Sequence, residues 1–96
     1  MQKAHLHLIQ YALSLDCTIS VFDGFVWQEK RSTSFKAIKD ALESVDQASM
    51  VIQDDAGQLV ASAVVVDDLS FEPDETVVNH SDTEFMQQWE ILYYLD

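Results

Sequence analysis

Few side chains in this 96-residue chain can do chemistry: three His, one Cys and a surplus of carboxylates. His5 and His7 are two apart. On a helix they point about 200° from one another and cannot hold one metal together, whereas on a strand they share a face. His80 is the only other imidazole, so the spacing of a zinc centre is missing and surface or terminal histidines are expected. Cys17 has no assignable base, which makes it a half-buried structural thiol rather than a nucleophile. A single Cys also excludes an intramolecular disulfide and a four-Cys zinc site. Asp67, Asp68, Glu72, Asp74 and Glu75 put five acids within nine residues. That stretch lacks the Gly of an EF-hand calcium loop. Carboxylate pairs also serve glycoside hydrolysis, but a chain this short rarely builds the cleft. No dinucleotide, phosphate-loop, zinc-protease or nucleophile-elbow motif occurs. The expectation is a non-enzymatic protein with no catalytic residue, metal or cofactor.

What remains is charge. Seventeen acids face five Lys and Arg, for a formal net charge of −12. The five basic residues, Lys3, Lys30, Arg31, Lys36 and Lys39, all lie within the first 39 positions. Residues 40–96 hold fourteen acids and no Lys or Arg. Such a surface repels nucleic acid and anionic lipid and attracts basic protein surfaces, including grooves that normally hold DNA or RNA. Fourteen carboxylates carry the charge of about 24 Å of duplex, so mimicry of DNA is possible in number. The partner-facing candidates are Asp54, Asp55, Asp67, Asp68, Glu72, Asp74 and Glu75, with Trp27 as an apolar anchor beside a tight turn. Nothing near the 67–75 stretch neutralises it in the sequence. The cations Lys30, Arg31, Lys36 and Lys39 make a poor nucleic-acid footprint and should pair with Asp40, Glu43 or the acidic half. In the alternative reading the acids serve only solubility, in a structural or adaptor domain or a homodimer.

These side chains need elements to hold them. Apolar residues at 8, 9, 12 and 15 predict a helix over 2–15. Residues 18–30 predict a hairpin around Asp23-Gly24, since Gly accepts positive φ without steric cost. Ser32, Thr33 and Ser34 offer a helix N-cap, and Phe35, Ile38, Leu42 and Val45 recur at helical spacing. A second hairpin spans 48–66, turning at residues 54–57, with Val64-Val65-Val66 suited to a strand buried on both faces. Residues 67–80 read as an acidic loop around Pro73. Ser81 and Glu84 then form a capping box for a last helix carrying Phe85, Met86, Trp89, Leu92 and Tyr93 on one face. The order α-ββ-α-ββ-α implies a single α+β domain over 1–96: a two-layer sandwich with a mainly antiparallel four-stranded sheet. Phe35, Ile38, Leu42, Val51, Val64, Val66, Phe85 and Trp89 are the expected core. No apolar run approaches the length of a membrane span, and no secretory leader is visible, which suggests a cytoplasmic protein.

Three stretches resemble small acidic accessory proteins encoded by bacteriophages and prophages. They are Ser20 to Trp27 with Lys30 to Thr33, Ile38 to Ala48, and Pro73 to Val78 with Phe85 to Trp89. The resemblance implies a bacterial cytosolic setting and a role in host takeover or defence evasion, and carries no catalytic residue with it. Met50 to Gly57 is similar to a strand-turn segment of the phage uracil-DNA glycosylase inhibitor, a small acidic DNA mimic. Together with the charge, this implies an inhibitor of a nucleic-acid enzyme or defence system that does not itself touch nucleic acid or membrane.

Overall fold

The β-rich stretch after the first helix folds back at Asp23-Gly24, as its chemistry dictates. Asp23 accepts the N–H groups of Phe25 and Val26 at 2.8 and 2.9 Å, while Gly24 takes φ +104°. The computed structural model describes residues 1–95. In it, α1 (Ala4–Ser14) leads into β1 (Thr18–Phe22) and β2 (Trp27–Ser32). They are followed by α2 (Phe35–Glu43), β3 (Ala48–Gln53) and β4 (Leu59–Val65), then a 3-10 turn at Pro73–Glu75, β5 (Val77–His80) and α3 (Glu84–Leu95). The sheet is antiparallel throughout, in the order β2-β1-β3-β4-β5. The fold is therefore α+β with three helices, as the pattern implies, but the sheet has five strands. Residues 77–80, expected to lie in the acidic loop, instead pair with β4 through Val65–Val77 and Ala63–His80.

The helices cover one face of the sheet. Ile19, Val21, Met50, Ile52, Ala61, Ala63 and Val65 meet Leu8, Ile9 and Ala12 of α1, Ile38 and Leu42 of α2, and Met86, Trp89 and Tyr93 of α3. Each fully buried Leu, Ile or Met here contributes about 1.5–3 kcal/mol. Of the expected core, Ile38, Leu42 and Trp89 are buried, whereas Phe35, Val51, Val64, Val66 and Phe85 are half-buried. The correction is one of parity. β3 turns Ala48, Met50 and Ile52 toward the helices and β4 turns Ala61, Ala63 and Val65, which leaves Val51 and Val64 on the open face. Val64-Val65-Val66 is consequently buried only at Val65. On α3, Leu92 is exposed and Met86, Trp89 and Tyr93 form the inward stripe.

The caps follow the sequence in part. Ser34 accepts the Ala37 N–H at 3.2 Å, closing the start of α2. Ser81 does not start α3. The helix begins at Glu84, and the Ser81 hydroxyl instead accepts the Ser62 N–H at 3.0 Å across the sheet. α3 is clasped to α1: Trp89 Nε1 donates to His7 Nδ1 at 3.1 Å, and the Tyr93 hydroxyl donates to the Gln2 carbonyl at 2.6 Å. Among the described residues no helix is long and apolar enough to cross a membrane.

Candidate functional site

Strand pairing decides which charges become neighbours. Trp27, Phe22, Ser49, Val64 and Asn79 form a paired row near one end of the sheet. Three connections leave from it: residues 23–26, 44–47 and 66–76. They carry Asp23, Asp46, Asp67, Asp68, Glu72, Asp74 and Glu75 to one loop end. The C-termini of α2 and α3 point the same way, and neither has a basic residue in its last turn. Asp67 pairs with Lys3 at 2.7 Å. The other six carboxylates have no ammonium or guanidinium partner among the described residues.

Several of these six are fixed by neutral donors, which orient a carboxylate without cancelling its charge. N–H groups from Val26 and Phe25 hold Asp23 below the usual carboxylate range. The Ser70 N–H and hydroxyl do the same for Asp68, both at 2.8 Å. Glu72 and Glu75 cap one another around the 3-10 turn, with the Glu72 N–H donating to Glu75 at 2.8 Å. Among them stand Phe25, 91% exposed, and Leu69, fully exposed. Exposed apolar side chains therefore share the loop end with these carboxylates.

Beneath this end lies a second polar cluster that the sequence does not announce. His5 is fully buried, and its backbone N–H and Nδ1 both meet Thr76 Oγ1 at 3.1 Å. Its Nε2 lies 3.0 Å from Glu43 Oε2. A carboxylate only accepts, so Nε2 carries the proton. Glu43 also accepts from Lys39 at 2.8 Å. Burial works to raise the Glu43 pKa, but the bonds from Lys39 and His5 outweigh it and the group stays below its ordinary value. One ligand atom each from His5, Glu43 and Asp67 lies within 4.8 Å of the others, a spacing that could hold a cation. Both carboxylates already accept from an ammonium, Lys39 and Lys3 respectively, so a metal would have to displace two cations.

The open face of the sheet carries a third feature. In β2, Lys30 and Arg31 together oppose Ser20 of β1, a β-bulge marked by the register shift between Ile19 and Val21. Arg31 sits at φ +47° and its N–H donates to Ser20 Oγ at 2.9 Å. The two cations line a groove of about 440 Å³ with Trp27, Val51 and Leu59.

The sequence-derived candidates are thus divided. Asp67, Asp68, Glu72, Asp74 and Glu75 share the loop end. Asp54 and Asp55 sit at the opposite end, in the β3–β4 turn, where Asp54 accepts the N–H groups of Ala56 and Gln58. Trp27 lies on the open face, its ring 5.0 Å from that of Phe22. Asp67 is not free of local neutralisation, because Lys3 reaches it from 64 residues away. Lys36 and Lys39 pair with Asp40 and Glu43, as expected, but Lys30 and Arg31 make no ion pair among the described residues. Cys17 is buried, and burial, then the charges of Asp54, Asp16 and Asp55, push its thiol up and away from reactivity. The chemistry missed from sequence is the His5–Glu43–Thr76 cluster and the bulge that aligns Lys30 with Arg31. The first joins segments 38 and 71 residues apart, and the second depends on the register within the β1–β2 hairpin, which the residue types do not fix.

No family model, curated protein or solved structure matches this chain. The functional reading therefore rests on the geometry.

Proposed function

We propose that this is a small acidic, non-enzymatic binding protein that docks its loop end onto a basic protein surface. The observation behind the reading is the set of six carboxylates without a cationic partner among the described residues, on the same loop end as exposed Phe25 and Leu69. Six charges equal only about 10 Å of duplex, some three base pairs. The arrangement thus favours a compact basic patch over a long DNA-binding groove. The partner class is a nucleic-acid enzyme or defence protein in a bacterial cytosol, in the phage or prophage setting the resemblance implies.

The test is capture of proteins from bacterial lysate at low and high salt, using the parent and Asp68→Asn/Glu72→Gln/Asp74→Asn/Glu75→Gln. The parent should retain basic proteins at low salt and release them at high salt, and the variant should retain less. Equal capture by both proteins at low salt would sink the reading.

A second reading is favoured by α3. Its outer face exposes Ile91, Leu92 and Tyr94, which suits a homodimer whose acidity serves solubility. Sedimentation separates the two, because an apolar dimer persists at high salt.

A further inference from the structure

The bulge in β2 leaves two cations unpaired on a chain of net charge −12. Lys3, Lys36 and Lys39 each hold a carboxylate at 2.7–2.8 Å. Lys30 and Arg31 hold none among the described residues, although carboxylates outnumber cations more than three to one. Their position is fixed by the backbone. Arg31 occupies the left-handed region, which an L-residue adopts at a cost, and the Ser20 hydroxyl secures its N–H. Its guanidinium lies over Gly57 of the β3–β4 turn, where an added Cβ would meet it at 3.8 Å. Along the same groove Trp27 is 45% and Leu59 67% exposed, with Val51 on the floor.

Edge strands carry bulges and charges to discourage pairing with other chains. That accounts for the bulge, Lys30 and Arg31. It does not account for an indole and a leucine left exposed beside them. A volume of about 440 Å³ falls within the size range of small-molecule sites. We propose that this groove binds a small planar anion: a ring of nucleobase or aryl size against Trp27, with its phosphate or carboxylate on Lys30 and Arg31. Guanidinium and ammonium together suit an oxyanion, the first as a fork and the second as a point charge. The net charge argues for a small ligand over a polymer, since every further phosphate of a nucleic acid meets the field of the whole acidic surface.

Nuclear magnetic resonance titration of the full chain tests this with adenosine monophosphate, 2-naphthoate, inorganic phosphate and adenosine as probes. At least one of the two ring-bearing anions should shift the Trp27 indole N–H and the amides of Ser20, Arg31 and Val51. It should bind about tenfold or more tightly than phosphate or adenosine alone. Which of the two does so identifies the oxyanion. Arg31→Asn keeps a residue that tolerates positive φ, and Lys30→Gln changes an exposed side chain. Each should weaken binding, while Lys36→Gln should leave it unchanged. Should Arg31→Asn disturb the fold, Lys30→Gln alone decides. The proposal is overturned if neither ring-bearing anion shifts these groups, if phosphate alone binds as tightly, or if oligothymidylate binds more tightly than the mononucleotide.

Discussion

Glu43 and Asp67 are carboxylates of the same kind as Asp68, Glu72, Asp74 and Glu75, and Asp67 is the chain neighbour of Asp68. The first two meet ammonium groups, Lys39 and Lys3, and Glu43 also accepts a hydrogen bond from Nε2 of a fully buried His5. The others have no cationic partner among the described residues, and Asp68, Glu72 and Glu75 accept from neutral donors alone. The difference lies in which cations can reach them. The basic residues belong to the first 39 positions, so Lys3 and the lysines of α2 deliver their ammonium groups to Asp67, Glu43 and the exposed Asp40, and, among the described residues, none reaches residues 68–75. That stretch stays negative. A single acidic composition thereby makes both a structural cluster and an unbalanced surface.

Removing the centre of the buried cluster tests the comparison most severely. His5→Ala empties a fully buried site and removes one hydrogen-bond partner each from Thr76 and Glu43, so unfolding in urea should show a loss of about 2–4 kcal/mol. A variant as stable as the parent would mean that the cluster is incidental.

The four-fold neutralisation of Asp68, Glu72, Asp74 and Glu75 should act in the opposite direction. Asn and Gln retain acceptors for the turn and the 3-10 cap while mutual repulsion falls. The melting temperature should rise at low salt, and the gain should shrink as salt is added. Unfolding of that variant would place these groups with Glu43 and break the distinction.

The smallest effect is expected at His80, which ties β5 to α3. Its Nδ1 donates to the Ser81 carbonyl at 2.8 Å, and its Nε2 lies 2.9 Å from Glu90. The Ser81 carbonyl foremost, then Glu90, raise its pKa above the ordinary 6.5 against the opposing effect of burial. A raised folded value means the stabilisation is complete below the unfolded pKa and is lost as pH rises through the folded one. Glu90→Gln should flatten that part of a stability-against-pH curve, and an unchanged slope would remove Glu90 as a cause.

Much of this architecture is legible in the chain. The Asp23-Gly24 turn, the Ser34 cap and the 54–57 turn announce themselves through local chemistry, and so do the three helices. β5 does not. It is four residues, Val-Val-Asn-His, at a sheet edge, and it exists by pairing with β4. The inward face of β3 and β4 is hidden for another reason. On β4 the alanines turned toward the helices are less apolar than the outward Val64, and on β3 both faces carry apolar side chains, so hydrophobicity alone does not set the parity. As for the site, the acids are visible as a total. The Lys39–Glu43 pair is legible as an i,i+4 contact, whereas the capture of Asp67 by Lys3 joins residues 64 apart and leaves no local trace.

The clasp between α3 and α1 bears on the order in which the molecule assembles. Tyr93 and Gln2 are 91 positions apart, and joining ends that distant costs about 4 kcal/mol of loop entropy on chain length alone. The hairpins β1–β2 and β3–β4 close over a few residues and need no such investment. The α1–α3 contact is therefore expected to close late, after the hairpins. A contact made that late is read in how slowly the protein comes apart, more than in how fast it forms.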